Sequence, residues 1–328
     1  MTAHSKSSAA SSERNVIPYT QAGGELNEGA TINDSWLPPQ RDVVVVEVGP
    51  RDGLQNEATT IPTSAKIAFV DALTAAGLPV IEVTSFVNPK AVPQLADAAE
   101  VMIGIRRADG TRYPVLVPNK KGFDRALGAR VDAIALFTSA TEAFAGANVG
   151  TSIDGTFDRF RPVVADARLH GVWIRGYISV AFGCPYSGSV DIRTVIFVAE
   201  RLLDLGCDEV CLADTIGTAT RDSVRDTLQA ARRSIPIDRL ALHFHDTSGS
   251  ALANVEIALE LGVRTFDAAA GGLGGCPFAP GAPGNLGTEQ LLARLKSLGL
   301  RTGVEPDAVA VALDVVRPYV PRLGLLTA

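Results

Sequence analysis

From Asp42 onward, short runs of β-branched residues alternate with longer segments in which apolar positions recur every three or four residues. This is the pattern of parallel strands crossed by helices. The runs are VVVVEVG from Val43, VIEVTSF from Val80, YPVLVP from Tyr113, VDAIALF from Val131, VWIRGYISV from Val172, DEVCLAD from Asp208, LALHFHD from Leu240 and TFDAAA from Thr265. Between the first two, PTSAKIAFVDALTAAG opens with Pro62, places Ile67, Val70, Leu73 and Ala76 along one stripe and stops at Gly77. The segments TVIFVAERLLDLG and SALANVEIALELG likewise stop at Gly206 and Gly262. Proline inside the first turn and glycine just past the last are the expected helix punctuation.

Eight strand–helix units predict an α/β fold, a (β/α)8 TIM barrel over residues 41–303, with its active site at the carboxyl ends of the strands. A doubly wound open sheet is the alternative; it has fewer regular units and a ligand crevice at a switch point. Residues 304–328, containing EPDAVAVALDVVRPYVPRLG, predict a C-terminal helical extension. Residues 1–40 are rich in Ser, Ala, Gly and Asn without either period, which predicts a flexible N-terminal tail.

Polar residues at the strand ends converge on one mouth if the barrel is right. Strand one runs into GPRDGLQNE with Arg51, Asp52 and Gln55, strand two carries Glu82, and strand three leads to Asn119. Strand five offers Tyr177 and Ser179, strand six Asp214 and Thr215, and strand seven the sequence HFHD. The period of two puts His243 and His245 on one face of their strand and turns Phe244 into the helix layer. An isolated histidine is more often a satisfied core residue. A pair, with Asp52 after strand one and Asn285 in the last loop, is instead a set of N and O donors for a divalent cation. That set suits Mg²⁺ or Mn²⁺ and leaves Zn²⁺ and Co²⁺ open. Arg51 beside Asp52 reads either as a surface ion pair or as a cation held for an oxygen that becomes negative during reaction.

The chain has 328 residues, 46% of them apolar, and a net charge of −6 with no basic block, so it advertises neither a nucleic-acid nor an anionic-membrane surface. No apolar run is long enough to span a bilayer and the N-terminus lacks a signal-peptide core, which predicts a soluble, cytoplasmic protein. Serines with Lys6 and Arg14 would suit an organelle transit peptide; Glu13, Glu25 and Glu28 argue against one. Cys184, Cys207, Cys211 and Cys276 are irregularly spaced and form neither a disulfide framework nor a paired zinc motif. The first three suit packing. Cys276 sits in GLGGCPFAPGAPGN, where glycines and prolines already suffice to build a turn. It reads as a small buried residue or as a reactive thiol on a flap.

Seven segments in order, VVVVEVGPRDGLQNE, GLPVIEVTSFVNPKAVPQLADAAEV, YPVLVPNKKGFDRAL, IRGYISVAFGCPYSG, ADTIGTAT, LHFHDTSGSALAN and GGLGGCPFAPGAPGNLGTEQL, resemble the 3-hydroxy-3-methylglutaryl-CoA lyase family. The resemblance runs from Asp42 to Gly303. It implies a metal-dependent barrel, a homodimer, that cleaves an acyl-CoA substrate, 3-hydroxy-3-methylglutaryl-CoA, to acetyl-CoA and acetoacetate with Mg²⁺ or Mn²⁺ as cofactor. Carried over, Asp52, His243, His245 and Asn285 are the metal ligands. Arg51, Asp52, Glu82, His243 and Cys276 are catalytic, with Arg51 on the thioester oxygen, Glu82 orienting it, Asp52 or a histidine taking the hydroxyl proton and Cys276 protonating the enolate. Gln55, Asn119, Tyr177 and Thr215 are expected to bind substrate.

Two departures matter. AFAGANVGTSID lacks the lysines often found after the corresponding phenylalanine, and Ala270, Gly271 and Pro283 differ around the last loop. The alternatives are therefore a lyase for a related acyl group, citramalyl-CoA or an isoprenoid 3-hydroxyglutaryl-CoA, and a Claisen synthase of the same superfamily. The synthases lack the cysteine flap and commonly carry a long C-terminal domain. A noncatalytic metal- or CoA-binding protein would show a broken constellation, whereas every expected polar group is present.

Overall fold

A computed structural model describes residues 41–55, 57–275, 284–321 and 323. The N-terminal tail expected over 1–40, Cys276 and the last residues of the C-terminal extension lie outside the described residues.

Nine parallel strands make one sheet: β1 (Val44–Glu47), β2 (Val80–Ile81), β3 (Thr84–Ser85), β4 (Val115–Leu116), β5 (Ala133–Ser139), β6 (Trp173–Ser179), β7 (Glu209–Asp214), β8 (Leu240–Phe244) and β9 (Thr265–Ala268). Their order is β2-β1-β9-β8-β7-β6-β5-β4-β3. The terminal members β2 and β3 are the two halves of one expected strand, separated only by Glu82 and Val83, so the sheet closes on itself as a (β/α)8 barrel. Glu82 N donates to Glu47 O at 2.9 Å on one side, and Val83 N donates to Pro114 O at 3.0 Å on the other. The split and the short β4 share a cause: Pro114 has no N–H to give the ladder.

Helices between the strands form the outer ring. Where one was expected after β5, there are two, Glu142–Val149 and Ile153–Leu169, each started by a side-chain cap from Thr141 or Ser152. The expected stop at Gly77 is used. Its φ of +87° suits glycine, and an added Cβ would lie 2.6 Å from Gly303 O. After the barrel, the helix Pro306–Val316 buries Val309, Ala312, Leu313 and Val316 and packs on the helix Thr63–Ala75, with Glu305 N donating to Ala76 O at 2.9 Å.

Inside the ring, Leu116, Ala135, Tyr177, Cys211 and Ala241 from five strands meet in one buried cluster. Their parity decides which residues face inward: Arg175 and Tyr177 on β6, His243 beside Ala241 on β8, and Asp267, paired with His243, on β9. Cys184, Cys207 and Cys211 are buried free thiols.

Candidate active site

Beyond β1 the chain makes one wide π-helical turn, Gly49–Gly53, in which Asp52 N and Gly53 N both donate to Val48 O. Such turns frequently mark functional sites. Here the turn points Arg51 and Asp52 into the mouth. Arg51 Nε donates to Glu82 Oε1 at 2.5 Å, and its Nη1 donates to Asp52 Oδ1 at 2.6 Å. The second Glu82 oxygen accepts from the Tyr177 hydroxyl at 2.6 Å. Burial by itself works against the Arg51 cation, but Glu82 and Asp52 keep its pKa above the ordinary value. Burial pushes Tyr177 well above the usual phenol range, with Asp267 and Glu82 adding to it against Arg175, so the hydroxyl stays a neutral donor.

Asp52 also touches the histidine side. Its Oδ2 accepts from Asn285 Nδ2 at 2.9 Å. Burial alone would raise its carboxyl, yet the Arg51 guanidinium, then His243 and His245, hold it well below the usual carboxylate range. One ligand atom each from Asp52, His243 and His245 lies within 4.8 Å of the others. His243 Nδ1 is paired with Asp267 Oδ2 at 3.1 Å, which leaves Nε2 for the mouth. Burial would lower this imidazole, but Asp267 raises it. Burial, reinforced by His243, brings His245 down to about 4, so that ring is neutral.

The last loop delivers Asn285 at a bridge to His245. Gly274, at φ +105°, makes room for it: a Cβ there would stand 2.5 Å from Asn285 Nδ2.

These donors fit a divalent cation. His245 Nδ1 and Asn285 Oδ1 are buried with no hydrogen-bond partner, and each such atom costs on the order of 1–3 kcal/mol if nothing meets it. Four carboxylates, Asp52, Glu82, Asp267 and Glu209, are ion-paired to the two guanidiniums Arg51 and Arg175, leaving negative charge for a cation to balance. Imidazoles, a carboxylate and an amide oxygen form no thiolate cage.

Of the expected site residues, the structure brings Arg51, Asp52, Glu82, Tyr177, His243, His245 and Asn285 together. Gln55 is half-buried just past the π-helical turn. Asn119 caps the helix Lys120–Gly128, its Oδ1 accepting from Gly122 N at 3.1 Å. The Thr215 hydroxyl accepts from Val180 N at 2.8 Å, a contact that holds Val180 at φ +53°, a left-handed conformation unusual for a β-branched residue. Cys276 lies outside the described residues.

Three buried charged residues escaped the sequence reading. Arg175 Nη2 donates to Asp267 Oδ1 at 2.7 Å and Nη1 to the Tyr177 hydroxyl at 3.1 Å. Glu47 ends β1 with Oε1 accepting from Gly49 N at 2.8 Å and Ala270 N at 2.9 Å, and Oε2 accepting from the Thr288 hydroxyl at 2.6 Å. Burial pushes its carboxyl up to about 8, with Thr288, Ala270 and Gly49 opposing. The available signal was a charge inside an otherwise apolar strand, as in VVVVEV, WIRGYI and TFDAAA.

The fold and this donor set define a (β/α)8 barrel with a candidate metal site at its mouth. The HMGL-like family model matches residues 42–316, and the chain belongs to that family. Among similar proteins, the mitochondrial hydroxymethylglutaryl-CoA lyase of Bos taurus is 49% identical over 89% of this chain and 89% of its own. The crystal structure of hydroxymethylglutaryl-CoA lyase from Pseudomonas aeruginosa aligns with a TM-score of 0.83 and 49% identity, covering 86% of this chain and 94% of that one. An HMG-CoA lyase from A. baumannii, solved in complex with coenzyme A and 3-methylmalate, aligns at 0.81 with 39% identity, covering 88% and 92%. Relatives named as mitochondrial and as cytoplasmic enzymes both match.

Proposed function

We propose that this protein is a carbon–carbon lyase that cleaves 3-hydroxy-3-methylglutaryl-CoA to acetyl-CoA and acetoacetate. The observation that carries the mechanism is the meeting of Asp52, His243, His245 and Asn285 beside Arg51, with His245 Nδ1 and Asn285 Oδ1 unpartnered. In the reaction the tertiary 3-hydroxyl loses its proton, the C2–C3 bond breaks with its electron pair going to C2, and the resulting thioester enolate takes up a proton at C2. Asp52, His243, His245 and Asn285 would hold Mg²⁺ or Mn²⁺, which when bound supplies Lewis-acid stabilisation of an alkoxide. Asp52 takes the hydroxyl proton, since His243 keeps its own proton on Nδ1 toward Asp267 and offers Nε2 to the cation. Arg51, held from one side by Glu82 and from the other by Asp52, presents fixed positive charge to the thioester oxygen as it becomes negative. Gln55, Asn119 and Thr215 sit at or just past strand ends, where they would line the path of the acyl-CoA, and Tyr177 contributes through Glu82.

Cys276 is assigned the return of a proton to C2. Its replacement by Ala is expected to lower turnover by roughly 10²–10⁴, with circular dichroism unchanged; near-normal turnover at saturating metal removes the assignment. A homodimer in the cytoplasm completes this reading, and sedimentation velocity checks the dimer. Among the described residues no helix is long and apolar enough to cross a membrane.

The decisive assay follows acetyl-CoA release from a panel of 3-hydroxyacyl-CoA thioesters with Mg²⁺ or Mn²⁺. Preference for the 3-hydroxy-3-methylglutaryl thioester is expected; preference for citramalyl-CoA or a longer isoprenoid analogue would reassign the acyl group while keeping the chemistry.

A further inference from the structure

Among the described residues, Arg175 is the largest side chain with no solvent exposure. It lies beneath the mouth, out of reach of any ligand, yet both halves of the site run through it. One arm leads from Arg175 Nη2 to Asp267 Oδ1 at 2.7 Å, and from Asp267 Oδ2 to His243 Nδ1 at 3.1 Å. The other leads from Nη1 to the Tyr177 hydroxyl at 3.1 Å, then to Glu82 at 2.6 Å and to Arg51 Nε at 2.5 Å. Arg51 closes the circuit through Asp52 to Asn285.

We propose that Arg175 is a positioning residue that sets the orientation of His243 and of Arg51 at once, through Asp267 on one arm and Tyr177 on the other. Donor and acceptor polarity fixes both arms. A guanidinium only donates. Because Tyr177 oxygen accepts from Arg175, the phenol proton is left for Glu82 Oε2, which turns Glu82 Oε1 to Arg51. Because Asp267 Oδ1 accepts from Arg175, Oδ2 is left for His243, which fixes the proton on Nδ1 and presents Nε2 to the cation. A purely stabilising role explains this cluster poorly, since buried ion pairs seldom repay the desolvation of their charges and apolar replacements are often tolerated. The Arg175 guanidinium also lies 4.8 Å from the centre of the Tyr177 ring, which confines the phenol from below.

The inference rests on the metal-dependent reading above, and its test separates the two. Mn²⁺ binding is measured on substrate-free enzyme by the EPR signal of the free ion, and kcat and KM are measured at saturating Mn²⁺. Asp267→Asn is expected to weaken Mn²⁺ binding about 10- to 100-fold, with kcat largely recovered by excess metal. Tyr177→Phe is expected to leave Mn²⁺ binding unchanged and to lower kcat roughly 10- to 100-fold through a misplaced Arg51. Arg175→Met is expected to do both. Wild-type enzyme that binds no Mn²⁺ overturns the metal reading itself. Wild-type binding with Asp267→Asn unchanged, or with Tyr177→Phe and Asp267→Asn giving the same pattern, overturns only the coupling. Should Arg175→Met fail to fold, the split between the two arm variants still decides.

Discussion

Along β8 and β9 successive residues belong to two different interiors. Ala241, His243 and Asp267 face the inside of the barrel, whereas Leu242 and Phe266, neighbours across the ladder, lie on the outer face under the helices. Both sets are buried. Outside, burial is paid for by apolar area and close packing, and a contact can be exchanged for another of similar volume. Inside, the strand ends carry ion pairs whose desolvation must be met group by group, so most polar atoms have a specified partner, and two that do not, His245 Nδ1 and Asn285 Oδ1, belong to the candidate metal site. Burial alone therefore does not mark the site; the density of mutually committed polar atoms does.

The sharpest way to break this contrast is to remove one of the proposed inner ligands. His243→Ala, or removal of metal by a chelator, is expected to lower turnover by about 10³ or more, since electrostatic stabilisation of the reacting oxygens goes with it. Addition of Mg²⁺ or Mn²⁺ restores the stripped enzyme but not the variant. Steady-state kinetics with metal analysis checks this, and full activity in metal-free protein would defeat the mechanism. Arg51→Gln is expected to follow at about 10²–10³ in kcat with little change in KM, because the charge it meets grows only as the carbon bond breaks. A change confined to KM would make Arg51 a substrate anchor.

Replacement on the outer face should give the opposite signature. Phe266→Ala is expected to cost about 3–5 kcal/mol of stability, read by denaturant or thermal unfolding, while the folded fraction keeps near-normal kcat. Loss of kcat with unchanged stability would show that the two interiors are not separable one residue from the next.

The outer interior was nearly all legible in the sequence, because its rule is repetitive: β-branched runs, three- and four-residue stripes and a glycine stop at Gly77 or Gly206 are local features. Of the inner one, the side chains at the mouth could be found, since HFHD and GPRDG put unusual chemistry at strand ends. Arg175, Asp267 and Glu47 could not be assigned. Their roles depend on which distant strand end each meets, as when Glu47 reaches Thr288 across 241 positions of sequence. Pro114 hid a second feature, since the run that contains it reads as one strand while its missing N–H breaks the ladder.

Glu47 offers the mildest test of the same contrast, one that titrates rather than truncates. Its carboxyl is pushed from an ordinary 4.5 up to about 8, chiefly by burial, with three donors offsetting part of the cost. In the folded protein it therefore binds its proton through neutral pH, whereas in the unfolded chain it releases it near its ordinary value. Between these two values the native state holds more protons than the unfolded state, so this group's contribution to stability is full below about pH 4.5 and declines until about pH 8, above which it is level. Glu47→Gln carries no such proton. Its melting temperature, compared with wild type from pH 5 to pH 8, is expected to close on or overtake the wild-type value by several degrees as pH rises, since a few kcal/mol in a chain of this size shifts the midpoint by about that much. Parallel curves for the two proteins across that window would mean that Glu47 is ionised in the fold, held as an anion by Gly49, Ala270 and Thr288.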